Sequence, residues 1–165
     1  RNVCMEVLYL CTGELAKHHD AETIRILFVD ERNSCRSQIA EAVANALDRP
    51  GFAFASAGLE PDTIDEGTLE LLKEKGLGVT HLAPKHVYQV PDLDKYQVTV
   101  GLAERVKEAF PRTPRKMVYV DWSLDDPSQV EGSPEEVRAA YEAAFEFLSS
   151  HIRELIEAVL GNRPE

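Results

Sequence analysis

From residue 24 onward, short β-rich apolar runs alternate with longer stretches whose apolar residues recur at helical spacing. The runs are IRILFV (24–29), FAFASA (52–57), QVTVGLA (97–103) and MVYVDW (117–122). Between them the spacing predicts helices over 37–48, 64–75 and about 103–110, and a long one over 134–160. Strand–helix alternation of this kind predicts an α/β domain: a four-stranded parallel sheet, doubly wound, with helices on both faces. In the last helix Val137, Tyr141, Phe145, Leu148, Ile152, Leu155 and Val159 form one apolar stripe that should dock on the sheet. Ser133 as N-cap, Pro134 in the first turn and the acidic pair Glu135 and Glu136 mark its start, and Gly161 its end. HLAPKHVYQVPDLD (81–94) reads as an ordered connection with turns.

Residues 1–22 stand outside this alternation, which divides the chain into an N-terminal extension and a domain over 23–165. Val3, Val7, Cys11 and Leu15, with Cys4 and Leu8 beside them, fit one face of a docking or dimerisation helix, and a homodimer through this segment is the partner it suggests. VLYL (7–10) also fits a strand. On a helix, Cys4 and Cys11 are about 10 Å apart along the axis. That separation is too great for a disulfide or for a shared zinc with His18 and His19. No metal site is expected.

The charge balance narrows the partners. Eighteen basic residues against 29 acidic ones give a net charge of −11 over 165 residues. Such a chain repels nucleic acid and anionic membranes. No apolar run reaches the roughly 18 residues of a membrane helix, and no signal peptide is visible. Three cysteines, Cys4, Cys11 and Cys35, make no disulfide framework, so a cytoplasmic setting is expected.

Chemistry concentrates after the first run, in LFVDERNSCRSQIAEAV (27–43). A buried strand, a polar loop and a helix opening at Ser37 make an anion cradle, because backbone N–H groups and the helix dipole converge there. The loop residues are Glu31, Arg32, Asn33, Ser34, Cys35, Arg36 and Ser37. Arg36 offers a two-pronged grip on a tetrahedral anion, and Asn33 tolerates a left-handed backbone. Two further polar signals, SAG (56–58) and DDP (125–127), follow the second and fourth strands, on the edge of a parallel sheet where ligands bind. Asp126, ahead of Pro127, is placed to give a proton to a leaving group, although turn chemistry alone also accounts for Asp125 and Asp126.

At these residues the chain resembles the low-molecular-weight protein tyrosine phosphatases and the arsenate reductases that share their fold. The resemblance runs over about 23–160 through the 30–37 loop, QIAEA (38–42), SAGLEP (56–61), LLKEKGLGVTHLAPK (71–85) and DWSLDDP (121–127). It implies a phosphatase-I-like three-layer sandwich, no cofactor, Arg36 as the anion clamp and Asp126 as the general acid. It also implies a cysteine nucleophile at the position where this chain has Asp30. The relay cysteines of the arsenate reductases are missing from GLAERVKEAFP (101–111), and the aromatic pair of the phosphatases from DPSQV (126–130).

The resulting expectation is a domain inactive in cysteine chemistry that serves as a binding, sensory or structural module. Asp30, as an anion inside an anion hole, should accept loop N–H groups, pair with Arg36, show a lowered pKa, and weaken the binding of phosphate, sulfate or arsenate. The competing readings are an active phosphatase or arsenate reductase whose cysteine was replaced by Asp30, and a metal-assisted aspartyl phosphatase. Cys35 lies at the wrong end of the loop for in-line attack, and a neighbouring carboxylate raises a thiol pKa.

Overall fold

The computed structural model describes residues 23–109 and 117–161, so the expectations for the extension over 1–22 lie outside the described residues. Four strands, β1 (Ile24–Asp30), β2 (Phe52–Gly58), β3 (Val98–Gly101) and β4 (Val118–Asp121), form one parallel sheet in the order β2-β1-β3-β4. The helices are α1 (Arg36–Ala46), α2 (Glu66–Glu74), α3 (Glu104–Ala109) and α4 (Pro134–Gly161). The expected α/β fold, with its parallel sheet and helices on both faces, is the one observed.

β1 is central and apolar on both faces, as a doubly covered strand must be. Ile24, Ile26 and Phe28 join α1 and α4 in the larger core. Leu27 and Val29 join Val87, Val90, Ala103 and Val106 in a smaller one on the opposite face. The predicted stripe of α4 is buried at Tyr141, Leu148, Ile152, Leu155 and Val159, while Val137 and Phe145 are half-buried at its margin. Burial of side chains of the leucine or isoleucine class contributes about 1.5–3 kcal/mol each. Among the described residues, the second face is covered differently, by the six-residue α3 and by single 3-10 turns at Val87–Gln89 and Leu93–Lys95.

Caps explain the small differences in boundaries. α1 stops at Ala46 because Asp48 turns left-handed at φ 48°, two residues before the expected end. α2 opens at Glu66 because Asp65 accepts the Thr68 N–H at 3.0 Å. Ser133 and Glu136 form the expected start of α4, with the Glu136 N–H donating to Ser133 Oγ at 3.2 Å. No helix among the described residues is long and apolar enough to cross a membrane.

Candidate functional site

In the order β2-β1-β3-β4, the connection after β1 runs outward to β2 and the connection after β3 runs outward to β4 on the other side, so a crevice opens beyond the carboxyl ends of β1 and β3. The 30–37 loop fills its floor. Asn33 sits at φ 52°, the left-handed conformation expected of it. Its amide organises the loop: Nδ2 donates to Ser37 Oγ at 2.7 Å and Ser56 Oγ at 3.0 Å, and Oδ1 accepts the Lys85 N–H at 2.9 Å. Gln38 Nε2 donates to the Asn33 carbonyl at 2.9 Å. Gly58, paired with Asp30 across the sheet, is needed for contact: a Cβ there would lie 2.7 Å from Asn33 N. The SAG segment thus contributes an anchor, Ser56, and a close approach, Gly58.

Asp30 is 2% exposed at the bottom of this loop. Its Oδ1 accepts the Asn33 N–H at 2.6 Å and its Oδ2 accepts the Ser37 N–H at 2.9 Å. The expectation that the carboxylate accepts loop N–H groups therefore holds, but two others need correction. Arg36 makes no ion pair with Asp30. Its Nη1 donates to the carbonyls of Leu102 (3.2 Å) and Leu124 (2.8 Å), and its Nη2 lies 3.7 Å from Asp126 Oδ2. The guanidinium is held by the ends of β3 and β4 rather than by the floor. The pKa of Asp30 is raised, not lowered. Burial disfavours its charge more than the Ser37 and Asn33 N–H groups and the more distant Arg36 charge favour it.

Asp126 stands across the crevice. Its Oδ1 accepts the Ser128 N–H at 2.9 Å and the Ser128 hydroxyl at 2.6 Å. It is both a turn cap and Arg36's neighbour, so its two readings from sequence coexist. Between the walls lies a cleft of about 630 Å³ lined in part by Arg32, Arg36, Arg105, Glu31, Asp125 and Asp126. Arg105 spans Glu31 (3.5 Å) and Glu60 (3.6 Å) at the exposed rim. A second groove of about 600 Å³ between α2 and α4 carries Glu70, Glu74 and Glu135 over an apolar floor, and those charges oppose an anion.

Cys35 is 1% exposed behind the loop. Burial pushes its thiol pKa up, with the nearby Asp126, Asp65 and Asp30 charges acting in the same direction. Beneath it, Asp65 Oδ2 accepts the Thr68 hydroxyl at 3.0 Å and the Tyr141 hydroxyl, while the Asp65 N–H donates to the Ser34 carbonyl at 3.1 Å. The sequence reading missed this buttress. An Asp three residues before a Thr at a helix start was its signal. Lys85, Gln38 and the carbonyls of Leu102 and Leu124 were missed as well.

The chain belongs to the low molecular weight phosphotyrosine protein phosphatase family, whose model matches residues 25–164. It is 28% identical over 132 residues to an arsenate reductase of Halalkalibacterium halodurans, an overlap of 80% of this chain and 94% of that protein. A solved arsenate reductase in a phosphate-binding state superposes with a TM-score of 0.61 at 27% identity, covering 81% of this chain and 99% of that one. The YwlE arginine phosphatase from Geobacillus stearothermophilus superposes with a TM-score of 0.65 at 24% identity, covering 86% and 99%, and shares the fold.

Proposed function

We propose that this domain binds a tetrahedral oxyanion in the 30–37 loop and acts as a binding or sensory module, with Asp30 standing where the family carries its cysteine nucleophile. The observation that carries this reading is the floor of the loop, where a carboxylate accepts the Asn33 and Ser37 N–H groups. The solved relative described in a phosphate-binding state supports phosphate as the class of ligand. Cys35 is no substitute nucleophile, since it is buried and its thiol is held protonated. The segment after β3, GLAERVKEAFP, supplies no relay cysteine.

A second anion about 4 Å from an ionised Asp30 meets a repulsion of about 4 kcal/mol at an effective dielectric near 20. That is roughly a thousandfold in affinity. The test is a calorimetric phosphate titration of the wild type and Asp30→Ala, with assays for aryl phosphate hydrolysis and thiol-dependent arsenate reduction. The expected result is no turnover in the wild type and phosphate binding that strengthens by about one to three decades in Asp30→Ala. Equal phosphate affinity in the two proteins would remove Asp30 from the bowl. Turnover that survives Asp30→Ala and disappears in Cys35→Ser would overturn the assignment.

A further inference from the structure

We infer that the cradle selects oxyanions carrying a proton of their own, hydrogen phosphate or hydrogen arsenate, and that Asp30 rejects fully ionised anions such as sulfate. The inference rests on the oxyanion-binding reading above and adds to it the property by which the site sorts ligands.

Its basis is the unused bonding capacity around Asp30. An ionised carboxylate has about four acceptor positions. The Asn33 and Ser37 N–H groups take one on each oxygen, and among the described residues only the Ser37 hydroxyl contributes a further hydrogen bond. The donors of the loop are underused too. Among the described residues the backbone N–H groups of Ser34, Cys35 and Arg36 have no hydrogen-bond partner. The Arg36 Nε is buried and also lacks one. The loop therefore combines spare donors with a spare acceptor. A ligand that satisfies both needs bare oxygens for the N–H groups and one hydroxyl for Asp30.

Hydrogen phosphate and hydrogen arsenate present that set near neutral pH, and the hydrogen bond to Asp30 offsets part of the charge repulsion that every anion meets there. Sulfate has only bare oxygens, so one of them must face a carboxylate at a distance where two acceptors repel. Asp30 must then take a proton from solvent before sulfate enters. Charged groups on the surrounding elements do not remove this requirement. Arg36 on α1 lies against Asp126 and two carbonyls; Asp65, ahead of α2, accepts from Thr68 and Tyr141; Asp126, on the β4–α4 connection, is a second carboxyl group and brings no donor. The Cys35 thiol is neutral, and Glu31, Arg32 and Arg105 lie out at the cleft. Burial raises the Asp30 pKa more than the donors around it lower it.

The experiment is a calorimetric titration of the full chain with inorganic phosphate, arsenate and sulfate, at about pH 7.5 and about pH 5.5, for the wild type, Asp30→Ala and the isosteric Asp30→Asn. At the higher pH the wild type is expected to prefer phosphate and arsenate over sulfate by about tenfold or more. Acidification should strengthen sulfate binding by up to about tenfold per pH unit, since one proton enters with the anion. Asp30→Ala should bind sulfate and phosphate within about threefold of each other, and Asp30→Asn should lose the preference or reverse it. Equal affinities in the wild type at the higher pH, or a preference that survives in Asp30→Ala, overturns the inference while anion binding stands. If neither anion binds to any of the three proteins, the oxyanion reading fails and takes the inference with it.

Discussion

Two aspartates flank Arg36, one at the floor of the loop and one on the β4–α4 connection, and the same side chain does different work in each. Asp30 ends the central strand, is almost wholly buried, and is held by two main-chain N–H groups of one loop. Asp126 lies in an irregular connection, with its side chain 17% exposed, and is held by its own turn and by Arg36. The cation that could neutralise the deeper carboxylate is engaged by the shallower one. Burial therefore decides the charge behaviour of Asp30, whereas Asp126 is fixed in place by its turn and by Arg36. A charge at a strand end takes its properties from the geometry around it rather than from its neighbours in sequence.

The largest effect should come from exchanging the chemistry at the floor. Asp30→Cys places a thiol within reach of the Asn33 and Ser37 N–H groups and is expected to create aryl phosphate hydrolysis where the wild type shows none. Adding Asp126→Ala should slow that rate by about a hundredfold or more for poor leaving groups, the usual scale of general acid catalysis. If Asp126→Ala has no such effect with any leaving group, the wall aspartate is a turn cap and nothing more.

The next contrast is in stability against pH. A carboxyl group whose folded pKa is raised binds its proton more tightly in the folded chain than in the unfolded one. Its favourable contribution is complete below the unfolded value, about 3.9, and is lost as the pH rises through the folded value. Denaturant unfolding should show wild-type stability falling through that window relative to Asp30→Ala. Parallel curves for wild type and Asp30→Ala would mean that the floor carboxylate is solvated.

Smaller effects should follow from the supports. Asp126→Ala loses the cap on Ser128 and should cost about 0.5–2 kcal/mol. Tyr141→Phe removes one of the donors to Asp65 and should cost about 0.5–1.5 kcal/mol in thermal or denaturant unfolding, with phosphate binding changed by less than about threefold. A larger change in binding would show that the Asp65 buttress shapes the loop through Ser34.

Much of this was legible in the sequence, and the limits have physical causes. The strands and helices followed from apolar spacing, because each element covers one face or both faces of a single sheet. Asn33 marked a left-handed loop residue, and its type alone allows that backbone cheaply. The direction of Arg36 was not legible, since its partners are carbonyls 66 and 88 residues further along the chain, and a main-chain carbonyl has no residue type. The Asp65–Tyr141 bond was hidden because Tyr141 belongs to the apolar stripe of α4, where only its ring was expected to act. The sign of the Asp30 shift was misjudged because donors can be counted along a loop, whereas the depth at which they lie cannot.

The unequal covering of the sheet has a kinetic meaning. Among the described residues, one face carries the 28-residue α4 packed with α1, and the other carries a six-residue helix and isolated single turns. Amide hydrogens reach solvent through partial openings, and the thinly covered side opens at lower free energy. Exchange should therefore run as a front from the α3 side inward, with β1 and the start of α1 among the last segments to exchange. The loop rooted in β1 and α1 is therefore expected to hold its shape through openings that already loosen the β3–α3 side.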